Sequence, residues 1–221
     1  GRLLGGAAGP VLTTPDALSQ LLVPPAVLQG YTCTLSAGED IALEALLLLL
    51  VEAGYTRCDL VEGAGQFAVR GGIVDIFAPG AAHPVRVEFF GDTVDTLNRF
   101  DPLTQRRTEA VSQLLIPPAT RLLPEGGREA LLQRLDRVVG AQRRRRGEGA
   151  QRVLELLLEE AERLRETGAA GDRLIPILWE STATLLDYLP DAQVAVFDER
   201  ACAKRLEEAQ ALQHEDLKNA V

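Results

Sequence analysis

The sequence predicts a two-part fold, an α/β body carrying an inserted α+β module with an antiparallel sheet, and three observations point to it. Residues 65–107, GQFAVRGGIVDIFAPGAAHPVRVEFFGDTVDTLNRFDPLTQRR, alternate apolar and polar residues in short runs broken at glycine and proline. That is the pattern of a meander with one covered face. After Pro117-Pro118 the chain turns to helical periodicity with abundant charge. Short apolar runs near both ends, residues 10–13 and 194–197, each lead into a helix-capping residue. The boundaries that follow are residues 1–30 and 117–221 for the body, and 31–116 for the module.

Thr14 suits an N-cap and Pro15 the first helical position, predicting a helix to about Leu22 that stops at Pro24-Pro25. Residues 10–13 before it read as one short strand. Ser36-Ala37-Gly38-Glu39 reads as a capping box opening a second helix that ends near Gly54. The leucines from Leu46 to Leu50 make that helix apolar on every side, so it belongs to the core. The longest apolar run, residues 45–51, is far too short to span a membrane.

In the meander, side chains alternate between the two faces. Phe67 and Val69 share the core face and Arg70 points away; Gly71-Gly72 makes a tight connection. Val74 and Ile76 join the core, with Asp75 among the polar set. Val85, Val87 and Phe89 point inward, while Arg86, Glu88 and Phe90 point outward. Val94 and Leu97 break strict alternation after the Gly91-Asp92 turn, which predicts a bulge. The open face then displays Arg70, Arg86, Glu88 and Phe90, and a large aromatic beside arginines is a composition favoured at interfaces. Beyond the module, residues 124–139 and 151–166 read as helices. Residues 194–197 read as a short buried strand, followed by an Asp198-capped helix to about Glu215.

The same residues exclude several functions. The 23 Lys+Arg against 32 Asp+Glu give a net charge of −9, so no overall field draws this chain to nucleic acid. Cys33, Cys58 and Cys202 form no C-x-x-C pair, and with only His83 and His214 a metal site is not expected. A phosphate-binding loop needs a glycine-rich turn ending in Gly-Lys-Ser/Thr. The only lysines, Lys204 and Lys218, follow no such turn, and Gly5-Gly6-Ala7-Ala8-Gly9 has none and reads as a flexible end. No Ser-His-Asp set is present, and Glu159-Glu160 and Glu207-Glu208 read as solvated helix pairs. The reading is therefore of no catalysis and no cofactor in this chain. Absence of methionine, even at position 1, leads one to expect a piece of a longer polypeptide. Arg143-Arg144-Arg145-Arg146 offers an alternative, a nucleic-acid-contacting accessory module, set against a solvated helix end or loop with glutamates from residue 155 onward as partners.

Four stretches carry a resemblance. They are Gly54-Tyr55-Thr56-Arg57 with Asp59 and Val61-Glu62; Gly65 to Phe77; Pro84 to Asp92; and Phe100-Asp101-Pro102-Leu103-Thr104-Gln105-Arg106. In this order they resemble the UvrB-like module of Mfd, the bacterial transcription-repair coupling factor family, and more distantly UvrB. The flanks at residues 10–25 and 176–198 resemble it more weakly, and residues 120–172 least. Thr120-Arg121 stands where the resemblance leads one to expect an acidic residue.

The resemblance implies a flanking body of degenerate RecA-like, helicase-type fold lacking ATPase motifs, and an inserted domain that binds UvrA. It implies a function too: recruiting UvrA to stalled RNA polymerase in nucleotide excision repair. Arg70, Arg86 and Phe90 are the contact residues it implies, with Glu88 a lesser contact. The parent would be an ATP-dependent DNA translocase, cytoplasmic and nucleoid-associated, whose other domains could mask the face.

Overall fold

The computed structural model describes residues 9–219, and the glycine-rich stretch ahead of Gly9 lies outside them. The first two helices are short: α1 (Pro15–Leu18) and α2 (Pro25–Gly30). Thr14 caps α1 as expected, its side chain accepting the Ala17 N–H. The helix stops at Ser19 rather than running to Leu22, because Leu22 is drawn into a bridge with Ala183. The α2 helix was not expected; Pro25 begins it instead of only ending its predecessor.

Strand β1 (Cys33–Ser36) comes next, then α3 (Leu43–Glu52), β2 (Thr56–Arg57), β3 (Gln66–Arg70), β4 (Ile73–Phe77), β5 (Val85–Phe90), β6 (Thr93–Phe100), β7 (Arg107–Ala110) and β8 (Gln113–Ile116). Two helices follow at Gly127–Gln142 (α4) and Glu148–Thr167 (α5), then α6 (Ile175–Leu178) and α7 (Glu199–Asn219). The chain divides into two compact units: Leu28–Leu123, and the residues up to Val27 together with those from Pro124 on.

The Leu28–Leu123 unit holds a six-stranded sheet in the order β2-β3-β4-β5-β6-β7, antiparallel except where β2 runs parallel to β3. A separate antiparallel pair joins β1 to β8, with Cys33 opposite Ile116. The inward residues of the meander, Phe67, Val74, Ile76, Val85, Val87 and Leu97, bury against Leu46 and Leu50 of α3. The bulge appears where alternation broke: Glu88 pairs with Thr96 and Phe89 with Val94, leaving Asp95 without an opposite number.

The capping box at Ser36 needs correcting. Glu39 does accept the Ser36 N–H at 2.8 Å, but this closes a turn and opens no helix. Gly38 sits at φ +84, and residues 38–41 run beside β6, with the Gly38 N–H donating to Val94 O and the Ile41 N–H to Asp92 O. The helix waits until Leu43.

Beyond α3 the chain turns at Gly54 (φ +82), where a Cβ would lie 2.4 Å from Thr120 Cγ2 and 2.7 Å from Thr120 Cβ. Thr120, in the position expected to be acidic, has its hydroxyl accepting the Leu122 N–H at 3.1 Å. Gly54→Ala combines a left-handed backbone with that collision and is expected to cost about 2 kcal/mol. A lower urea midpoint at unchanged m would register it.

In the other unit, α4 packs on α5, burying Leu131, Leu135, Val139, Ala161 and Leu164. The Arg134 guanidinium donates to the carbonyls of Glu125, Ile177 and Leu178, joining three segments. The α/β expectation fails for this body. Its described residues contain no strand, only the Leu22–Ala183 bridge. Residues 194–197 are exposed, Phe197 at 83%, because no described neighbour offers them a ladder. Residues 10–13 likewise form no strand. Asp198 does cap α7, its carboxylate accepting the Ala201 N–H at 3.1 Å. Glu160 is a second correction: it is buried rather than solvated, 3.7 Å from Arg163 and 3.8 Å from Arg173, in space that Gly171 leaves open.

Candidate protein-docking site

The outer face of the sheet is built in rows by strand register. One row runs Ala68–Asp75–Arg86–Asn98, and the next runs Arg70–Ile73–Glu88–Thr96. Phe90 and Thr93 pair beyond them, at the Gly91-Asp92 turn. Directly opposed side chains on one face interact most strongly, so the Asp75–Arg86 pair is the centre of this surface.

Asp75 is 1% exposed, and its carboxylate accepts from two arginines. Arg86 Nε reaches Oδ1 at 2.7 Å and Arg86 Nη2 reaches Oδ2 at 2.9 Å, a bidentate pair. Arg70 Nη2 donates to the same Oδ2 from the other side. The hydrogen bond to Asp75 raises the Arg86 pKa above its ordinary value. The Arg86 guanidinium also lies over the Phe100 ring, 4.6 Å from its centroid, a cation–π contact. Its Nη2 further donates to Gln105 Oε1 at 3.1 Å.

Gln105 is held for this contact by the loop after β6. Asp101 Oδ1 accepts the N–H groups of Leu103 and Thr104, at 2.9 and 2.8 Å, and the Thr104 bond foremost lowers its carboxyl pKa. Gln105 itself adopts φ +59, and its side-chain N–H₂ donates to Pro102 O.

Of the four residues expected on the open face, all retain some accessibility and Arg86 the least. Phe90 is 82% exposed with no apolar cover. Arg70 is 44% exposed. Glu88 is 20% exposed, paired to Arg107 and accepting the Thr96 hydroxyl at 3.0 Å; Asn98 donates in turn to that hydroxyl at 3.1 Å. Arg86 is only 14% exposed, which corrects its assignment to an open face: Gln105 roofs that end of the sheet and Phe100 lies under the guanidinium. Its role is structural as much as it is available to a partner.

Asp75, Phe100, Gln105 and Arg107 were not singled out as members of this site. Asp75 could have been, since a carboxylate inside an otherwise apolar strand, facing an arginine across the ladder, is a legible pair. The roof could not, because it depends on a loop folding back over the sheet.

Arg143 to Arg146 lie elsewhere, in the turn between α4 and α5. All four are exposed, and none forms an ion pair among the described residues. The turn is pinned by Gln142, whose side chain donates to Ala150 O at 3.1 Å.

Residues 33–122 match the model of the UvrB interaction domain, which covers β1 through β8 and so the whole candidate face. The transcription-repair-coupling factor of Bacillus subtilis (strain 168) is 32% identical over 214 residues, 94% of this chain and 18% of that protein. That of Mycobacterium tuberculosis is 36% identical over 192 residues, 85% of this chain and 15% of its own length. That of Myxococcus xanthus is 33% identical over 198 residues, 83% and 15% respectively. The chain spans less than a fifth of the length of these curated relatives. It is a relative of the transcription-repair-coupling factors, and its residues 33–122 form a UvrB interaction domain.

Proposed function

We propose that this chain is a non-catalytic interaction fragment of a transcription-repair-coupling factor that binds UvrA through the outer face of its sheet. By that contact it brings UvrA to a stalled RNA polymerase in nucleotide excision repair. The observation that carries the reading is Phe90, a phenyl ring 82% exposed on the same face of the sheet as the Arg70–Asp75–Arg86 cluster, within residues that match a UvrB interaction domain. A fully solvated phenyl on a hydrogen-bonded strand contributes nothing to the fold, and it is the kind of aromatic anchor that interfaces use. The sheet beneath it is pre-organised, so little ordering is needed on docking.

The parent protein would be an ATP-dependent DNA translocase acting in the cytoplasm near the nucleoid, and its further domains are candidates to mask the face. The flanking unit is read from the resemblance alone as a degenerate RecA-like body without ATPase motifs; its described residues supply helices and no strand.

Biolayer interferometry against purified UvrA tests the docking. The wild-type chain is expected to bind, and Arg70→Ala to weaken binding about tenfold, as loss of one charge-assisted contact does. No binding by a folded wild type would overturn the proposal. Replacing all of Arg143, Arg144, Arg145 and Arg146 by alanine is expected to leave UvrA binding unchanged. A loss there would move the site to the α4–α5 turn.

A further inference from the structure

We propose that Asp75 is a positioning residue of the docking face: its buried carboxylate selects which edges of Arg70 and Arg86 point outward and cancels one of their two charges. The face is thereby built for a single partner carboxylate set beside an apolar socket for Phe90. The inference rests on the docking reading above and specifies the chemistry of its partner.

The donor inventory leads there. Arg86 commits Nε and Nη2 to Asp75, and Nη2 also to Gln105, so only its Nη1 edge is left for a partner. Arg70 commits Nη2 to the same carboxylate and keeps its remaining donors on the accessible side. Without Asp75 the two guanidiniums would repel each other, Arg70 would lose its anchor, and Arg86 would keep only Gln105 and the Phe100 ring; with it both share one carboxylate. Two positive charges against one negative leave a net charge of one. The neighbouring Glu88–Arg107 pair adds nothing to that sum.

A partner offering one carboxylate matches this surface. A partner offering two close together would leave one of them desolvated and unmatched, a cost that discriminates between partners. Phe90 lies on the same strand as Arg86 and Glu88 and projects at the end of that row. The complementary patch on the partner is thus one acidic side chain next to a pocket of ring size.

Asp75→Asn separates positioning from simple charge. It keeps the shape, raises the positive charge of the face, and removes the anion that orients both arginines. If attraction of charge were all that mattered, it would bind UvrA more tightly. The expected result is association at low salt as fast as wild type or faster, with a steeper salt dependence, but dissociation about tenfold faster. In an Arg70→Ala background the dissociation penalty of Asp75→Asn is expected to shrink, because the two changes act through one geometry. Unchanged dissociation, or full additivity with Arg70→Ala, would overturn the proposal.

Phe90→Ala run alongside distinguishes the two readings. A wild type that does not bind UvrA overturns the docking reading and this inference with it. Binding that Phe90→Ala weakens and Asp75→Asn leaves intact overturns the inference alone. Should Asp75→Asn melt at the assay temperature, the wild type carries the test by NMR. The Arg86 Nε–H is expected as a sharp, slowly exchanging resonance before any partner is added. A rapidly exchanging, averaged signal would show that the guanidinium is not held.

Discussion

Arg86→Ala is expected to lower the unfolding free energy of the sheet-bearing unit by about 3 kcal/mol, the low end of what breaking a buried ion pair costs. The low end applies because Arg70 remains to contact Asp75, so the buried carboxylate is left with one donor rather than none. The loss also includes the cation–π contact with Phe100 and the bond to Gln105, whose loop then has nothing to close upon. For a unit of this size such a loss lowers Tm by roughly 12 °C or more, and differential scanning calorimetry would read it directly. A melt within a degree of wild type would mean that the guanidinium is not integral to the fold. Any binding defect of Arg86→Ala must be corrected for this instability before it is assigned to the interface.

Phe90→Ala is expected to behave in the opposite way. Its ring is solvated, so the melt should stay within about 0.5 kcal/mol of wild type. Affinity for UvrA should fall by about 2–4 kcal/mol, roughly thirtyfold to nearly a thousandfold, since truncating a central aromatic anchor typically has that effect. The two variants together map the face: one residue carries stability with a share of recognition, the other recognition alone. Wild-type affinity in Phe90→Ala would remove this ring from the interface and leave its exposure unexplained.

The meander was legible because its physics is local. Residues 67–77 and 85–90 alternate cleanly, glycines mark the turns, and the phase error between Val94 and Leu97 announced the bulge at Asp95. From that alternation alone Arg70, Arg86, Glu88 and Phe90 share one face, as the strand register has them. What alternation cannot register is a roof. Gln105 covers Arg86 because the chain reverses at residues 101–105, and nothing periodic in the sequence says how far that loop folds back; Phe100, at the end of β6, lies under the guanidinium.

The Ser36–Glu39 motif misled for a related reason. The same side-chain bond serves a helix start and a tight turn, and Gly38 in the left-handed region decided for the turn. Residues 194–197 have the composition of a buried strand, but a strand is defined by its neighbours, and among the described residues none pairs with them. Glu160 shows the converse. A charge pair on a helix looks solvated until the opposing segment, here at Gly171, supplies a space for one of the two.

The pairing of β1 with β8 has a mechanical consequence. Cys33 faces Ile116 at the mouth of the UvrB interaction domain, so chain enters and leaves across one pair of the ladder. Tension pulling residues 32 and 117 apart would act across that ladder rather than along it, parting Cys33–Ile116 first, then Thr34–Leu115, then Leu35–Leu114. Ser36–Gln113 is the last of the four pairs to part. Leu35, Leu114 and Ile116 sit in the same core as the meander, so opening the neck is coupled to loosening the sheet behind it.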